Sequence, residues 1–208
     1  MAGATGPAVL HALRCIGFAE LPRVADAAGL PEPEVESHLI DLAVAGWITR
    51  TTGEFGAWGI VEAGRAEDAR WTAAELAAAG ARCAVFAAYE KFLVLNPELL
   101  DLCSAWQLRA VHGPVERNDH GDRAYDGRVL DRFVDLDRRA DVVCAELSAA
   151  LPRFRRYRAR LTAALDRARA GALEHLTDSM TSYHVVWFQL HEDLLATLGI
   201  PRQTAGSR

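Results

Sequence analysis

The 208-residue chain is 50% hydrophobic and 25% charged, with a net charge of −5. This ordinary globular composition excludes a disordered or low-complexity polypeptide. No run of 18 apolar residues occurs and the N-terminal MAGATGPAVLHALRC lacks a basic, apolar and small-residue signal plan, so the expectation is a cytoplasmic chain with no membrane partner. The four cysteines (Cys15, Cys83, Cys103 and Cys144) stand far apart in apolar sequence without a CxxC pair. That fits buried thiols in a reducing compartment better than a disulfide framework or zinc knuckle. The acidity is uneven: residues 1–70 hold 5 basic and 10 acidic groups, and the remainder holds 18 of each.

The first elements are short. PAVLHALRCIGF predicts an amphipathic helix from Pro7, and LPRVADAAGL predicts a second, closed by Gly29. PEPEVESHLIDLAVAGWI predicts a third helix: acids crowd its first turn, Val35, Leu39, Leu42 and Ala43 form its inner stripe, and Gly46 ends it. WITRT and AWGIVEAG then read as two strands joined by the glycine-bearing turn TGEFG.

From Glu67 the pattern becomes helical throughout. AEDARWTAAELAAAGARCAVFAAYEKFLVLN is an alanine-rich stretch broken near Gly80, with Cys83, Phe86, Ala87, Glu90 and Leu93 at helical spacing. Asn96-Pro97 is expected to start a new helix, PELLDLCSAWQLRAV. A polar loop, HGPVERNDHGDRAYDGR, leads to a helix with a stripe at Val129, Phe133, Leu136, Ala140 and Val143. Asp119, His120, Asp122 and Asp126 read either as a metal or general-base cluster or, with Asn118, as turn and cap residues, Asp126 capping the helix. The basic PRFRRYRARLTAALDRARAG ends at Gly171. The last helix is capped by Asp178 or Thr181 and closed by Gly199. The expected fold is therefore mainly α: domain 1–70 of helices with a β-hairpin, an all-α domain 71–202 for ligand sensing and dimerisation, and a disordered tail 203–208.

The stretch VADAAGLPEPEVESHLIDLAVAGWITR, with Val61-Glu62-Ala63-Gly64-Arg65 after the hairpin, resembles winged-helix transcriptional regulators of the MarR and PadR kind. It covers about a third of the chain. The resemblance implies a third helix in the DNA major groove and a wing beside phosphates. The implied contacts to operator DNA are Arg23, Ser37, His38, Thr49, Arg50, Thr51 and Thr52. The alternative is a winged helix serving as an interaction element, since the third helix carries acids and no cation, and phosphate affinity comes from cations. The blocks LNPELLDLCSAWQLR, NDHGDRAYD and SYHVVWFQLHEDLLATLG resemble the C-terminal region of actinobacterial proteins related to pyruvate phosphate dikinase. That implies an organised region without an assigned reaction, because the phosphohistidine and nucleotide-binding domains of a dikinase are absent from the sequence.

Those blocks suggest an internal pocket. Trp106, Tyr183, Trp187 and Phe188 would supply aromatic walls; Arg109, Asp119, His120, His184, His191 and Glu192 would supply polar groups. His184 and His191 are seven residues apart, about 10.5 Å along a helix, so the pair cannot chelate one ion alone. No cofactor is expected and a metal is left open. No nucleophile elbow, phosphate loop or dinucleotide fingerprint occurs, so catalysis has no sequence support. The sequence reading is a dimeric, ligand-responsive winged-helix regulator of operator DNA, with a small-molecule effector. The alternative is a helical enzyme or a small-molecule or metal-binding module.

Overall fold

The computed structural model describes residues 5–51, 56–110, 113 and 115–201. It is mainly helical, with two small antiparallel sheets. The chain divides into two compact units, residues 1–82 with 189–208, and residues 83–188. The boundary expected at residue 70 falls within a helix of the first unit. The tail 203–208 lies outside the described residues.

In the first unit α1 spans Thr5–Ile16, α2 Leu21–Ala28 and α3 Glu32–Val44. Gly29 closes α2 at φ 70°, and its N–H reaches the Ala25 and Asp26 carbonyls. Pro31 precedes α3, and Gly46 follows it at φ 74°. Val35, Leu39 and Leu42 are the buried face of α3, each contributing about 1.5–3 kcal/mol of burial. They join Val9, Leu10, Leu13, Val24, Ile48 and Ile60 in one core.

Strand β1, Ile48–Arg50, pairs antiparallel with β2, Trp58–Ile60, with Thr49 opposite Gly59. Ala19, between α1 and α2, forms a further antiparallel bridge to Trp58. Its N–H and C=O both bond the Trp58 backbone, at 2.9 and 2.8 Å. Most of the TGEFG turn lies outside the described residues.

Helix α4 runs over Glu62–Ala78. It begins five residues before the expected point, with extended Val61 at its N-cap position directly after β2. Gly64 explains the tight join: a Cβ there would stand 2.0 Å from the Trp47 carbonyl oxygen. Trp47 also packs edge-on against Trp71, with ring centroids 5.2 Å apart. Gly80, at φ 59°, ends the helical run as the sequence suggested.

In the second unit the break expected at Asn96-Pro97 does not occur. Helix α5 is continuous over Arg82–Gln107 with Pro97 inside it. A buried stripe at Val85, Ala88, Phe92, Leu95, Leu99, Leu102 and Trp106 runs through the proline, and that packing outweighs the lost backbone bond. The stripe expected at Cys83, Phe86, Ala87, Glu90 and Leu93 is the exposed one. The helix expected to run to residue 111 ends at Gln107: Leu108–Ala110 is strand β3, paired antiparallel with β4 Val115–Arg117 in the expected loop.

Helix α6, Arg123–Ala150, is capped by Asp122, which accepts from the Ala124 and Tyr125 N–H groups. The Asp126 cap is thereby corrected: its carboxylate is buried within a side-chain network. The predicted α6 stripe is buried as expected. After a short 3₁₀ turn come α7 Arg155–Arg169, α8 Glu174–Thr177 and α9 Tyr183–Leu198. Ser182, rather than Asp178 or Thr181, caps α9: its Oγ accepts from the Val185 N–H at 3.3 Å. Cys103 and Cys144 are buried, which pushes both thiols up to about 12; Cys83, expected inside, is exposed. No helix among the described residues is long and apolar enough to cross a membrane.

Candidate functional site

Three places concentrate polar side chains. The first is the α3–hairpin surface of the first unit. Ser37 on α3, Thr49 and Arg50 on β1, and Thr51 just after it, are exposed; His38 and Arg23 are half-buried; Thr52 lies outside the described residues. Arg50 is held in place: its guanidinium lies 5.2 Å from the Trp58 ring centre, and Nε donates to the Gly56 carbonyl at 3.3 Å. It lines a cleft of about 260 Å³ together with Glu20, Glu36 and Trp58. The outward face of α3 is acidic and apolar: Glu34, Glu36 and Asp41 accompany Ile40, 53% exposed, and Val44, 86% exposed.

The second place is the β3–β4 hairpin and the start of α6. Here the structure brings together four of the predicted pocket residues, Trp106, Arg109, Asp119 and His120. Asn118 is the buried hub: its amide nitrogen donates to the Trp106 carbonyl at 3.0 Å and to Asp126 Oδ1 at 2.8 Å. His120 Nδ1 lies 3.0 Å from Asp126 Oδ2, and its ring lies 4.7 Å from the Trp106 ring. The bond and ring contact hold His120 in a left-handed conformation, φ 59°. Arg109 sits between Asp122, at 3.5 Å, and the Tyr125 ring. An open cleft of about 690 Å³ is lined by Arg109, Glu116, Arg117, Asp119, Asp122 and Arg123. The Asp122 carboxyl is held below its usual range, chiefly by the Tyr125 N–H and the nearby Arg109 charge.

The other predicted pocket residues belong to different networks. Tyr183 is fully buried, donates to Asp137 Oδ1 at 3.0 Å and lies 6.3 Å from the Trp187 ring. Burial, then the Asp137 charge, raises the phenol pKa. Arg158 closes that network with two 2.8 Å bonds to Asp137. Trp187 stacks on Phe92 at 4.5 Å and donates to Asn96. These aromatics fill the interior of the second unit. His184 is half-buried, and burial lowers its pKa. His191 and Glu192 belong to the first unit.

The third place, absent from the sequence reading, is a buried centre in the first unit. His11 Nδ1 lies 2.9 Å from Asp68 Oδ1, and Nε2 lies 3.0 Å from Asp193 Oδ1. Cys15 Sγ lies 3.6 Å from the same Nε2. Thr197 Oγ1 donates to Asp193 Oδ1 at 3.0 Å. His11, Cys15, Asp68 and Asp193 are all at most 4% exposed. One signal was visible in the sequence: His11 and Cys15 stand four apart on one helix face. Pairing them with Asp68 and Asp193 needs the fold. No family profile, curated protein or solved structure matches the chain.

Proposed function

We propose that the first unit is a winged helix and that the protein is a dimeric regulator that binds operator DNA and responds to a small effector. One observation carries the reading: α1, α2 and α3 are followed by a hairpin whose β2 also pairs with Ala19, between the first two helices. That order supports a winged helix, in which Arg50 would stand on the wing. The β3–β4 cleft, with Arg109, Arg117 and Arg123 on its wall, suits a small carboxylate or phosphate effector. The dimer is supported by Phe86, Leu93 and Leu100, exposed at seven-residue spacing along α5.

A second reading has its own observation. The exposed α3 face combines acids with Ile40 and Val44 and offers no cation, which suits a basic, apolar protein segment better than phosphate. Arg50→Ala separates the two. Under the DNA reading it weakens binding of the chain to its own upstream DNA at least about tenfold, the cost of a lost charge-assisted contact. Val44→Glu, which adds a negative charge to the exposed face of α3, weakens DNA binding if α3 lies in the groove and leaves it unchanged if α3 docks a protein. DNA binding insensitive to Arg50→Ala refutes a phosphate-contacting wing.

A further inference from the structure

We propose that the buried centre of the first unit is a binding site for a borderline-soft divalent transition ion of the zinc class, held by His11 Nε2, Cys15 Sγ and an Asp193 carboxylate oxygen. The inference stands apart from DNA binding.

Both ring nitrogens of His11 face carboxylates. Asp68 Oδ1 at 2.9 Å accepts the Nδ1–H, which turns the Nε2 lone pair toward Asp193 Oδ1 at 3.0 Å. A lone pair does not face a carboxylate in a buried site unless a proton or a metal ion stands between them. With a proton, the centre is an imidazolium between two carboxylates and Cys15 is a bystander. With a metal ion, Cys15 is a ligand. Net charge does not choose, because both states carry about one negative charge when the metal-bound thiol is ionised.

Geometry chooses. The three ligand atoms lie within 4.8 Å of one another. Tetrahedral zinc, with bonds of about 2.0–2.1 Å to nitrogen and oxygen and about 2.3 Å to sulfur, places nitrogen and sulfur about 3.6 Å apart and nitrogen and oxygen about 3.3 Å apart. Here Nε2 lies 3.6 Å from Sγ and 3.0 Å from the oxygen. His11 and Cys15 share one turn of α1 and Asp193 comes from α9, so three ligand atoms from two helices converge on one buried point.

The surrounding groups match. A metal-bound histidine usually donates its other N–H to a carboxylate, as His11 is placed to do to Asp68. The Asp193 ligand oxygen is oriented by Thr197. Asp68 is 1% exposed, and its Oδ2 has no hydrogen-bond partner among the described residues. With Oδ1 paired to His11 and Oδ2 unpartnered, the buried Asp68 charge is stabilised by a nearby cation, whether metal ion or imidazolium. Thiolate and imidazole donors select zinc or cobalt over magnesium or calcium. Binding displaces the Cys15 thiol proton into solvent.

The test uses the full chain, stripped with a chelator and titrated with Co²⁺ at neutral pH, then with Zn²⁺. One Co²⁺ per chain is expected, with a thiolate-to-cobalt charge-transfer band in the near ultraviolet that Zn²⁺ abolishes. Cys83→Ser keeps the band, which rules out the exposed thiol. Cys15→Ser loses it, and Asp193→Asn weakens Co²⁺ binding at least about tenfold. Circular dichroism establishes that each variant is folded. If Asp193→Asn does not fold, Thr197→Val takes its place and is expected to weaken binding in the same direction. No stoichiometric Co²⁺ binding, or a band that survives Cys15→Ser, overturns the site and leaves a His11 imidazolium between two carboxylates.

Discussion

Replacing Asp126 by alanine probes the network that shapes the β3–β4 cleft. Asp126 accepts from the buried Asn118 amide at 2.8 Å, and its other oxygen lies 3.0 Å from His120 Nδ1. Without it, one Asn118 N–H loses its acceptor, while the other keeps the Trp106 carbonyl. A lost bond between a buried donor and a charged acceptor costs about 1.5–3 kcal/mol. His120 has a side chain 28% exposed, so its pairing adds about 0–1 kcal/mol. The expected loss is about 2–4 kcal/mol of unfolding free energy. Urea unfolding at pH 7, followed by tryptophan fluorescence, reads it as a lower midpoint at unchanged slope. Asp126→Asn keeps an acceptor oxygen and loses about half as much. A loss below about 0.5 kcal/mol for Asp126→Ala, the range of a plain surface substitution, refutes the network.

Gly64→Ala drives a Cβ into the Trp47 carbonyl oxygen and costs about 3 kcal/mol or more. Gly127→Ala, inside α6 with nothing within 4 Å of the added carbon, stabilises by about 0.5–1 kcal/mol; the same urea unfolding measures both. His184 favours its neutral form in the fold because burial lowers its pKa. The unfolded chain therefore gains a proton first as pH falls, and stability declines below about pH 6.5 until the folded-state pKa is passed. His184→Gln removes that decline. Thermal unfolding between pH 5 and 8 checks it, and an equal slope in both proteins contradicts the assignment.

The parts legible in the sequence were those governed by local chemistry. Gly29, Gly46, Gly80 and Gly199 mark chain reversals at positive φ, and the stripe on α6 is buried where the period placed it. The errors came where long-range packing decides. Pro97 reads as a helix start from its local restriction, yet the continuous apolar face of α5 carries the helix through it. Alanines dilute both faces of α5, so its inner stripe has no clear period; Phe86 and Leu93 lie outside, and Phe92 and Leu99 inside. Tyr183 and Trp187 read as pocket walls, since an aromatic at helical spacing looks the same in a cavity and in a core. The Asp68–His11–Asp193 alignment spans 57 and 182 residues of separation, which no local pattern reveals.

The most direct test of the central claim is binding of the full chain to its own upstream DNA by fluorescence anisotropy across a salt series. Arg23 and Arg50 are the two arginines assigned to phosphate contact in each protomer, four per dimer. Each neutralised phosphate contributes about −0.9 to the slope of log K against log salt, so specific binding with a slope of about −3.6 is expected. Absence of binding at low salt, or binding equally strong to unrelated DNA, contradicts an operator-binding regulator and leaves the acidic, apolar face of α3 as a surface for a protein partner.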